Sequence, residues 1–453
     1  MRPPFSIRYR DRNSVFIGFD ALTKEPVFLA SEATYRATHV YGIQGTGKTK
    51  RIGRLVLNQL FADSLSSILY FSLKTEDARE MARLARASGW RVHVMKGVCL
   101  LNSFSHWGQF EAGVRKGMTA AGYQARESFW FDRTMQLLGE AYRHSLATQK
   151  VARLGPTIQK VLATLRAEAA AGNNVKADQI AVSDVASYLL EFDDPLSPVR
   201  WVYDAQPGDF VPGCTPGEVQ ASQFADWSLM AQPRTMVIVP PTGTSRAGLV
   251  AATALKYAYL LWFEDNKDTW QVSSPDTRHR KVVFQDEGDN FLIISPRKDF
   301  DDIYATKTWR EFGHSSWVFT QSKEAVRSAA GKDRAQTYLS VVGNQLTFAI
   351  PDEEVAKWIK ELPEYEYQTR TVNLNRSAEG YEDDADMLRG NLQVSRGESL
   401  QTARGPWITG EWFQRLPKGC AVFQQAGQTP RVLWIPFHGH VAIDGAPQNE
   451  EEA

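Results

Sequence analysis

The chain is 453 residues long, about three times the ~150-residue scale of one domain, so one large domain or two to three smaller ones are expected. Hydrophobic residues make up 43% and charged residues 23%, which excludes wholesale disorder and collagen-like repetition. Lys and Arg (52) balance Asp and Glu (52), so any attraction to nucleic acid or anionic lipid has to come from local patches.

Cys99, Cys214 and Cys420 are far apart and form no CxxC pair, which argues against a zinc site or a disulfide framework and fits a reducing cytoplasm. The opening MRPPFSIRYRDRNSVF has no apolar stretch of signal-peptide length. The longest helical apolar segment, Leu249 to Phe263, has 15 residues and contains Lys256, short of the roughly 20 that a membrane span needs. The expectation is a soluble, cytoplasmic protein whose Leu249–Phe263 segment is a buried core helix.

In chain order, Thr38 to Gly42 (THVYG) reads as a short strand ending in a glycine-rich turn, with a helix from Lys48 to Ala62. Ser67 to Ser72 is a strand, Thr75 to Ser88 a helix stopping at Gly89, and Trp90 to Met95 the next strand. Strands separated by helices of this size indicate βαβ units and a parallel sheet. From Phe104 to Phe192 the chain turns rich in Ala, Leu, Gln and Arg. Phe129, Phe131, Met135, Leu138 and Tyr142 recur at helical spacing, as do Ile158, Val161, Leu162 and Leu165, and Ser183 caps a helix from Asp184 to Phe192. Pro195 to Gly213 reads as a returning loop, and Thr215, Pro216 and Glu218 as a helix-starting capping box.

The α/β pattern resumes with strands at Thr235–Val239 and Lys281–Gln285, a helix from Ser295 to Gly313, and strands at Ser316–Thr320 and Gln345–Ile350. Asn375 to Glu398 is polar and acidic and reads as a flexible connection. Short strands at Ala421–Gln424 and Arg431–Pro436 precede an acidic tail. The division expected is 1–103, an all-helical insertion at 104–213, and 214–453.

Gly42-Ile43-Gln44-Gly45-Thr46-Gly47-Lys48-Thr49 matches GxxxxGK[ST] at every position and sits between a strand and a helix, the context of a P-loop. Gly42, Gly45, Thr46 and Gly47 shape a backbone that wraps a polyphosphate. Lys48 supplies charge to its β and γ phosphates, and the Thr49 hydroxyl can ligate Mg²⁺. ATP and Mg²⁺ are therefore the expected cofactors. Such a loop calls for an acid at the end of a distant buried strand, and VVFQDE provides Asp286 for the Mg²⁺ shell and Glu287 to polarise the attacking water. The gap of about 240 residues from Gly47 to Asp286 exceeds what a compact nucleotide core needs, which supports the insertion.

Gln321, at the tip of the SWVFT strand, either senses the γ-phosphate or positions water, or simply bonds backbone. Arg310 is either an arginine finger for a neighbouring subunit's nucleotide or a helix-end residue complementing the dipole. Arg79, Arg83 and Arg86 share one helical stripe, as a phosphate-facing row or a solvated mixed-charge face. Lys74 is a better candidate for contact with DNA or nucleotide. His438 and His440 lack partners for a metal site.

With these residues together, the chain resembles the type IV coupling proteins, the TraD/TraG-type ATPases of conjugation and type IV secretion in the FtsK–HerA superfamily. The resemblance runs in order through VFIGFDALTKEPVFL, the P-loop, SSILYFSLKTEDAREMARLARASGWRVHVM, the helical insertion, VVFQDE, TWREFGHSSWVFTQS and WITGEWFQRLPKGCAVFQQAGQTPRVLWIPF. Where the family usually has Asp-Pro-Lys-Gly, this chain has Ser72-Leu73-Lys74-Thr75, so only the lysine carries over. The resemblance implies a RecA-like P-loop NTPase core, α/β with a mainly parallel sheet and an inserted all-α domain. It also implies a homo-hexameric ring that hydrolyses ATP and moves DNA or a relaxase–DNA complex toward a secretion channel. Relaxosome proteins and the channel's ATPases or membrane components are the implied partners, with docking at the inner membrane through them. A HerA-like ring ATPase of phage defence, DNA processing or packaging, and a non-catalytic nucleotide-binding adaptor, are the alternative readings.

Overall fold

The apolar runs of the sequence become strands of one eleven-stranded sheet in the computed structural model. The structure describes residues 5–7, 14–95, 103–121, 125–149, 154–182, 225–239, 246–270, 274, 277–295, 300–360, 362, 364–378, 392–406, 408–437 and 441–443. The helix expected at 184–192, the loop at 195–213, the capping box at Thr215, Cys99, Cys214, His438, His440 and the acidic tail lie outside the described residues.

The strands are β1 (Phe5–Ile7), β2 (Val15–Asp20), β3 (Pro26–Leu29), β4 (Thr38–Tyr41), β5 (Ser66–Phe71), β6 (Arg91–Val94), β7 (Thr235–Ile238), β8 (Arg280–Gln285), β9 (His314–Thr320), β10 (Asn344–Thr347), β11 (Glu364–Ala378), β12 (Leu392–Pro406), β13 (Cys420–Gln425), β14 (Arg431–Trp434) and β15 (Val441–Ile443). The large sheet runs β3-β2-β14-β13-β10-β4-β9-β8-β5-β7-β6. From β10 to β6 every neighbouring pair is parallel. The remaining four strands are antiparallel. A separate parallel pair joins β1 to β15.

Parallel strands covered on both faces carry apolar side chains on both, which is why they read as continuous runs. Successive residues split between two cores. Ile68 and Tyr70 of β5, Val282 and Phe284 of β8, and Met236 and Ile238 of β7 enter one core with the helices Arg54–Ala62 and Thr75–Ala87. Leu69 and Phe71, Val283, and Val237 enter the other. That second core is capped by the long helix Arg246–Asn266 (Val250, Ala254, Tyr257, Leu260) and by Phe110, Val114, Phe131, Met135, Leu138 and Ile158 of the helices Trp107–Ala120, Ala125–Gln149 and Leu154–Ala170. The described helices of the 104–213 segment thus share an apolar core with the sheet.

Lys256 is fully buried inside the long helix. Its ammonium donates to Asp302 Oδ2 (2.6 Å), Gln285 Oε1 (2.8 Å) and the Phe291 carbonyl (2.9 Å), so the charge is paired and its donors are used.

Two sequence expectations change. The helix expected from Ser295 begins at Asp302, where the Asp301 carboxylate caps the N–H groups of Ile303 and Tyr304, and it ends at Thr308. The polar stretch expected to be a flexible connection contributes to strands. β11 and β12 pair residue for residue from Glu364↔Pro406 to Ala378↔Leu392, while 379–391 lie outside the described residues. The ribbon belongs to a unit of its own, Pro351–Leu416, distinct from the unit holding the large sheet. In the smaller unit Trp358 of the helix Asp352–Ile359 packs on Phe413 of the short helix Gly410–Gln414, ring centroids 4.3 Å apart.

Candidate nucleotide-binding site

Four parallel strands end together. Tyr41 of β4 lies in register with Thr320 of β9, and Gln285 of β8 with Phe71 of β5. The chain therefore leaves the sheet at Gly42, Gln321, Asp286 and Ser72 along one edge, where ligands bind in parallel α/β sheets. β9 lies between the strand that feeds the glycine-rich loop and the strand that feeds the acids.

The loop is shaped by its glycines. A Cβ at Gly42 would sit 2.8 Å from both Phe348 Cβ and Thr46 Oγ1, and Gly45 (φ +83°) and Gly47 (φ +100°) occupy the left-handed region. Gly42 N–H is shared between the carbonyls of Thr320 and Gln321, both 3.2 Å away, and Ile43 N–H bonds the Ala349 carbonyl at 2.8 Å. The loop is thereby anchored on β9 and on the segment after β10. The helix that follows opens with a π-helical turn, Lys48–Gly53, before the α-helix Arg54–Ala62.

Lys48 turns its ammonium across the loop to the carbonyls of Gly42 and, at 3.2 Å, Ile43. Burial lowers its pKa, while Asp286, Asp289 and Glu287 pull it back up. The Thr49 hydroxyl donates to Asp286 Oδ1 at 2.9 Å. Asp286 is 3% exposed, and burial raises its carboxyl to about 6 against the opposing hydrogen bond from Thr49. Glu287 adopts a left-handed backbone (φ 55°, ψ 45°), a conformation that costs about 1–3 kcal/mol for a non-glycine residue and recurs at functional sites. Lys74, three residues past β5 and directly before the helix Thr75–Ala87, reaches Glu287 Oε1 at 2.9 Å, and this bond is the main cause of its raised pKa. The structure thus sets Lys74 beside the acids.

Gln321 is exposed at the tip of β9, its carbonyl on the loop. Arg79 and Arg83 lie on the helix Thr75–Ala87, whose inner face is Ala78, Met81, Ala82 and Ala85; Arg83 is exposed and Arg79 half-buried. Arg310 stands apart, in the turn that precedes β9. The seven residues of β9 separate it from the loop, about 20 Å at ~3.3 Å per residue. It approaches the Glu32 carboxylate at 4.0 Å.

Two residues of the site were not singled out from the sequence. Asp289 interacts electrostatically with Lys48 and Glu287, and burial raises its carboxyl to about 6. It belongs to the acidic run that begins at Asp286, so its signal was present. Arg51 donates to the Ile435 carbonyl at 2.7 Å, a partner 384 residues away that no local pattern reveals.

The donor set fits a nucleotide and a magnesium ion. The loop has room for backbone approach only because Gly42 and Gly47 lack side chains. Thr49 and Asp286 offer a hydroxyl and a carboxylate side by side, which suits Mg²⁺, an ion that keeps several waters and takes one or two carboxylates plus phosphate oxygens. Among the described residues no group of three or more His, Cys, Asp or Glu gathers as an alternative metal site.

This fold and this site define the class: an α/β, RecA-like P-loop NTPase fold with a mostly parallel sheet. Solved structures agree. The bacterial conjugative coupling protein TrwBΔN70, in its unbound monoclinic form, matches with a TM-score of 0.61 at 13% identity over 95% of this chain and 90% of its own. VirB4 of Thermoanaerobacter pseudethanolicus matches at 0.55 with 12% identity over 95% and 98%. TrwB in complex with ADP and Mg²⁺ matches at 0.54 with 13% identity over 89% and 86%. No protein-family profile matches the sequence, and no curated protein matches it in sequence.

Proposed function

We propose that this chain is an ATP-hydrolysing motor of the coupling-protein kind, which recruits DNA or relaxase–DNA and drives it toward a type IV secretion or conjugation channel, working as a homo-hexameric ring. The observation that carries the reading is the Thr49 hydroxyl set 2.9 Å from Asp286 across 237 residues of sequence, at the mouth of the glycine loop. Its fold is shared with a conjugative coupling protein, and TrwB has been solved with a non-hydrolysable ATP analogue as well as with ADP and Mg²⁺. Among the described residues no helix is long and apolar enough to cross a membrane. In this reading the chain docks at the inner membrane through its partners.

In this reading the N–H groups at the start of the Lys48 helix and the Lys48 ammonium bind the phosphates, the ammonium exchanging its bonds to Gly42 and Ile43 for phosphate oxygens. Thr49 and Asp286 hold the Mg²⁺, which when bound neutralises charge developing on the phosphates. Glu287 orients and deprotonates the attacking water, with Lys74 fixing its carboxylate. Gln321, on the strand between loop and acids, reads the γ-phosphate. Arg79 and Arg83, on the outer side of their helix, are the candidate DNA contacts. Arg310 is too far from its own loop to act there and serves the nucleotide of a neighbouring subunit.

The test is ATP binding and hydrolysis with and without DNA. Lys48→Ala should lose binding or turnover. Glu287→Gln should keep ATP binding and lose hydrolysis. Wild-type turnover in Lys48→Ala would overturn the site, and hydrolysis indifferent to DNA would remove the motor and leave an NTPase.

A further inference from the structure

Arg310 shares the Glu32 carboxylate with a second arginine. Arg36 Nη2 and Arg310 Nη1 each lie 4.0 Å from the same oxygen, Glu32 Oε1. Two guanidinium groups therefore converge on one oxygen, and these two nitrogens stand no more than twice that distance apart. Glu32 belongs to the short helix Ser31–Thr34, Arg36 comes two residues before β4, and Arg310 four residues before β9. Because β4 and β9 are parallel neighbours, both arginines stand at the edge of the sheet opposite the glycine loop.

The fold fixes the stems of these arginines and leaves their heads loosely paired. The Arg36 stem lies over Gly343, where a Cβ would stand 2.6 Å from Arg36 Cδ. Arg36 Nε is buried and has no hydrogen-bond partner among the described residues. The turn that carries Arg310 is pinned to the start of β8. Arg278 Nη1 donates to the Arg310 carbonyl at 3.0 Å, and a Cβ at Gly313 would stand 2.1 Å from the His279 carbonyl oxygen. At 4.0 Å neither arginine is hydrogen-bonded to Glu32, since such bonds are about 2.7–3.2 Å long. The Glu32 side chain is 64% exposed, so it is a loose counter-ion that another oxyanion displaces at little cost. One carboxylate between two guanidinium groups also leaves the trio net positive. Paired planar forks of this kind suit the several oxygens of a phosphoryl group better than the single oxygen they now share.

We propose that Arg36 is a second catalytic arginine, acting beside Arg310 on the γ-phosphate bound by the neighbouring subunit, and that Glu32 occupies the place of that phosphate in the free chain. This inference rests on the ring reading above. When the neighbour's nucleotide docks, its γ-phosphate oxygens take over both guanidinium groups and the Glu32 carboxylate returns to water.

The test is steady-state ATP hydrolysis by variants of the full chain, alone and mixed, with co-assembly checked by light scattering. Arg36→Ala should bind ATP nearly as tightly as the wild type, which also shows that it folds. It should hydrolyse ATP at least about tenfold slower, the scale of one hydrogen bond to a charged group. Arg36→Lys, which keeps the stem and the charge, should retain more of the rate. Mixing Arg36→Ala with Lys48→Ala should restore part of the activity, because an intact loop then meets an intact pair of arginines. Mixing Arg36→Ala with Arg310→Ala should give no more than the two components give apart, because no subunit in that mixture presents both arginines. Rescue in this second mixture would put Arg36 on its own subunit's nucleotide and overturn the inference, as would wild-type turnover in Arg36→Ala. The reading of Arg310 survives both of those results. If Arg310→Ala itself turns over ATP normally, that reading falls, and the pair with it.

Discussion

Lys281, at the foot of β8, shows how far a single buried charge can depart from its ordinary state. Its side chain is buried, with the ammonium 3.9 Å from the Trp270 ring centroid and 3.3 Å from the Phe312 carbonyl. Burial lowers its pKa from 10.5 to about 7. The unfolded chain therefore holds a proton between about pH 7 and 10.5 that the folded chain has released, so stability rises with pH across that window. The cost of the buried charge is full below pH 7 and gone once both states are neutral. Lys281→Met keeps the methylenes against Trp270 and removes the charge, so it should stabilise the protein by on the order of 3 kcal/mol below pH 7. Denaturant unfolding of both proteins at pH 6.5 and pH 10 checks this, and a gain that does not shrink at pH 10 would rule out the charge as its source. Neither this burial nor that of Lys256 can be read from the sequence, where a lysine in an apolar run says only that the run is not a membrane span. Lys48 and Thr49 are legible because their chemistry is local: a loop needs its glycines, its lysine and its hydroxyl within eight residues. Asp286 is legible because it directly follows a buried apolar strand. Arg51 and Ile435 are illegible as a pair for the opposite reason, since only the fold brings them together.

At the scale of elements, the long helix Arg246–Asn266 is tied to the acid-bearing strand by Lys256, which bonds Gln285 one residue before Asp286. The same ammonium holds Asp302 at the start of the helix Asp302–Thr308, and Asp302 in turn accepts from Ile293 N–H at 2.6 Å. One buried cation thus fixes β8, the segment after it and two helices. Lys256→Met should cost about 3–5 kcal/mol, because it strands a buried carboxylate without its partner, whereas adding Asp302→Asn should recover much of the loss. Chemical denaturation of the single and double variants measures both; equal stability of the two would mean that the pairing contributes nothing and lost packing explains the effect. The same scale shows which elements can be read in advance. Strands buried on both faces, such as β5 and β8, announce themselves by short continuous apolar runs, ILYF in β5 and VVF in β8. The ribbon β11–β12 does not, because its sequence is polar and resembles a linker, and its identity as a pair depends on register between segments. Likewise, β2 and β3 complete the large sheet by joining β14, a pairing of the chain's two ends that neither end signals.

At the scale of the whole molecule, the question is whether one chain contains a complete catalytic centre. The loop, the acids and Gln321 gather at the C-terminal ends of β4, β8 and β9, while Arg310 stands before the first residue of β9. Its side chain is 41% exposed, and its 4.0 Å approach to Glu32 is the kind of surface pair worth ~0–1 kcal/mol at most. In a closed ring, one edge of each subunit's sheet faces a different edge of the next, and an exposed arginine can complete a neighbour's site. Arginine fingers are worth about 10³–10⁵ in rate. Arg310→Ala should then bind ATP nearly as tightly as the wild type and hydrolyse it slower by at least about a thousandfold. Mixing Arg310→Ala with Lys48→Ala subunits should restore part of the activity, since an intact loop on one subunit then meets an intact arginine on the next. The measurement is steady-state hydrolysis across mixing ratios, with co-assembly checked by light scattering. If mixed assemblies form and stay inactive, or if Arg310→Ala turns over ATP normally, the arginine serves only the turn between the helix Asp302–Thr308 and β9, and each subunit hydrolyses ATP without its neighbour.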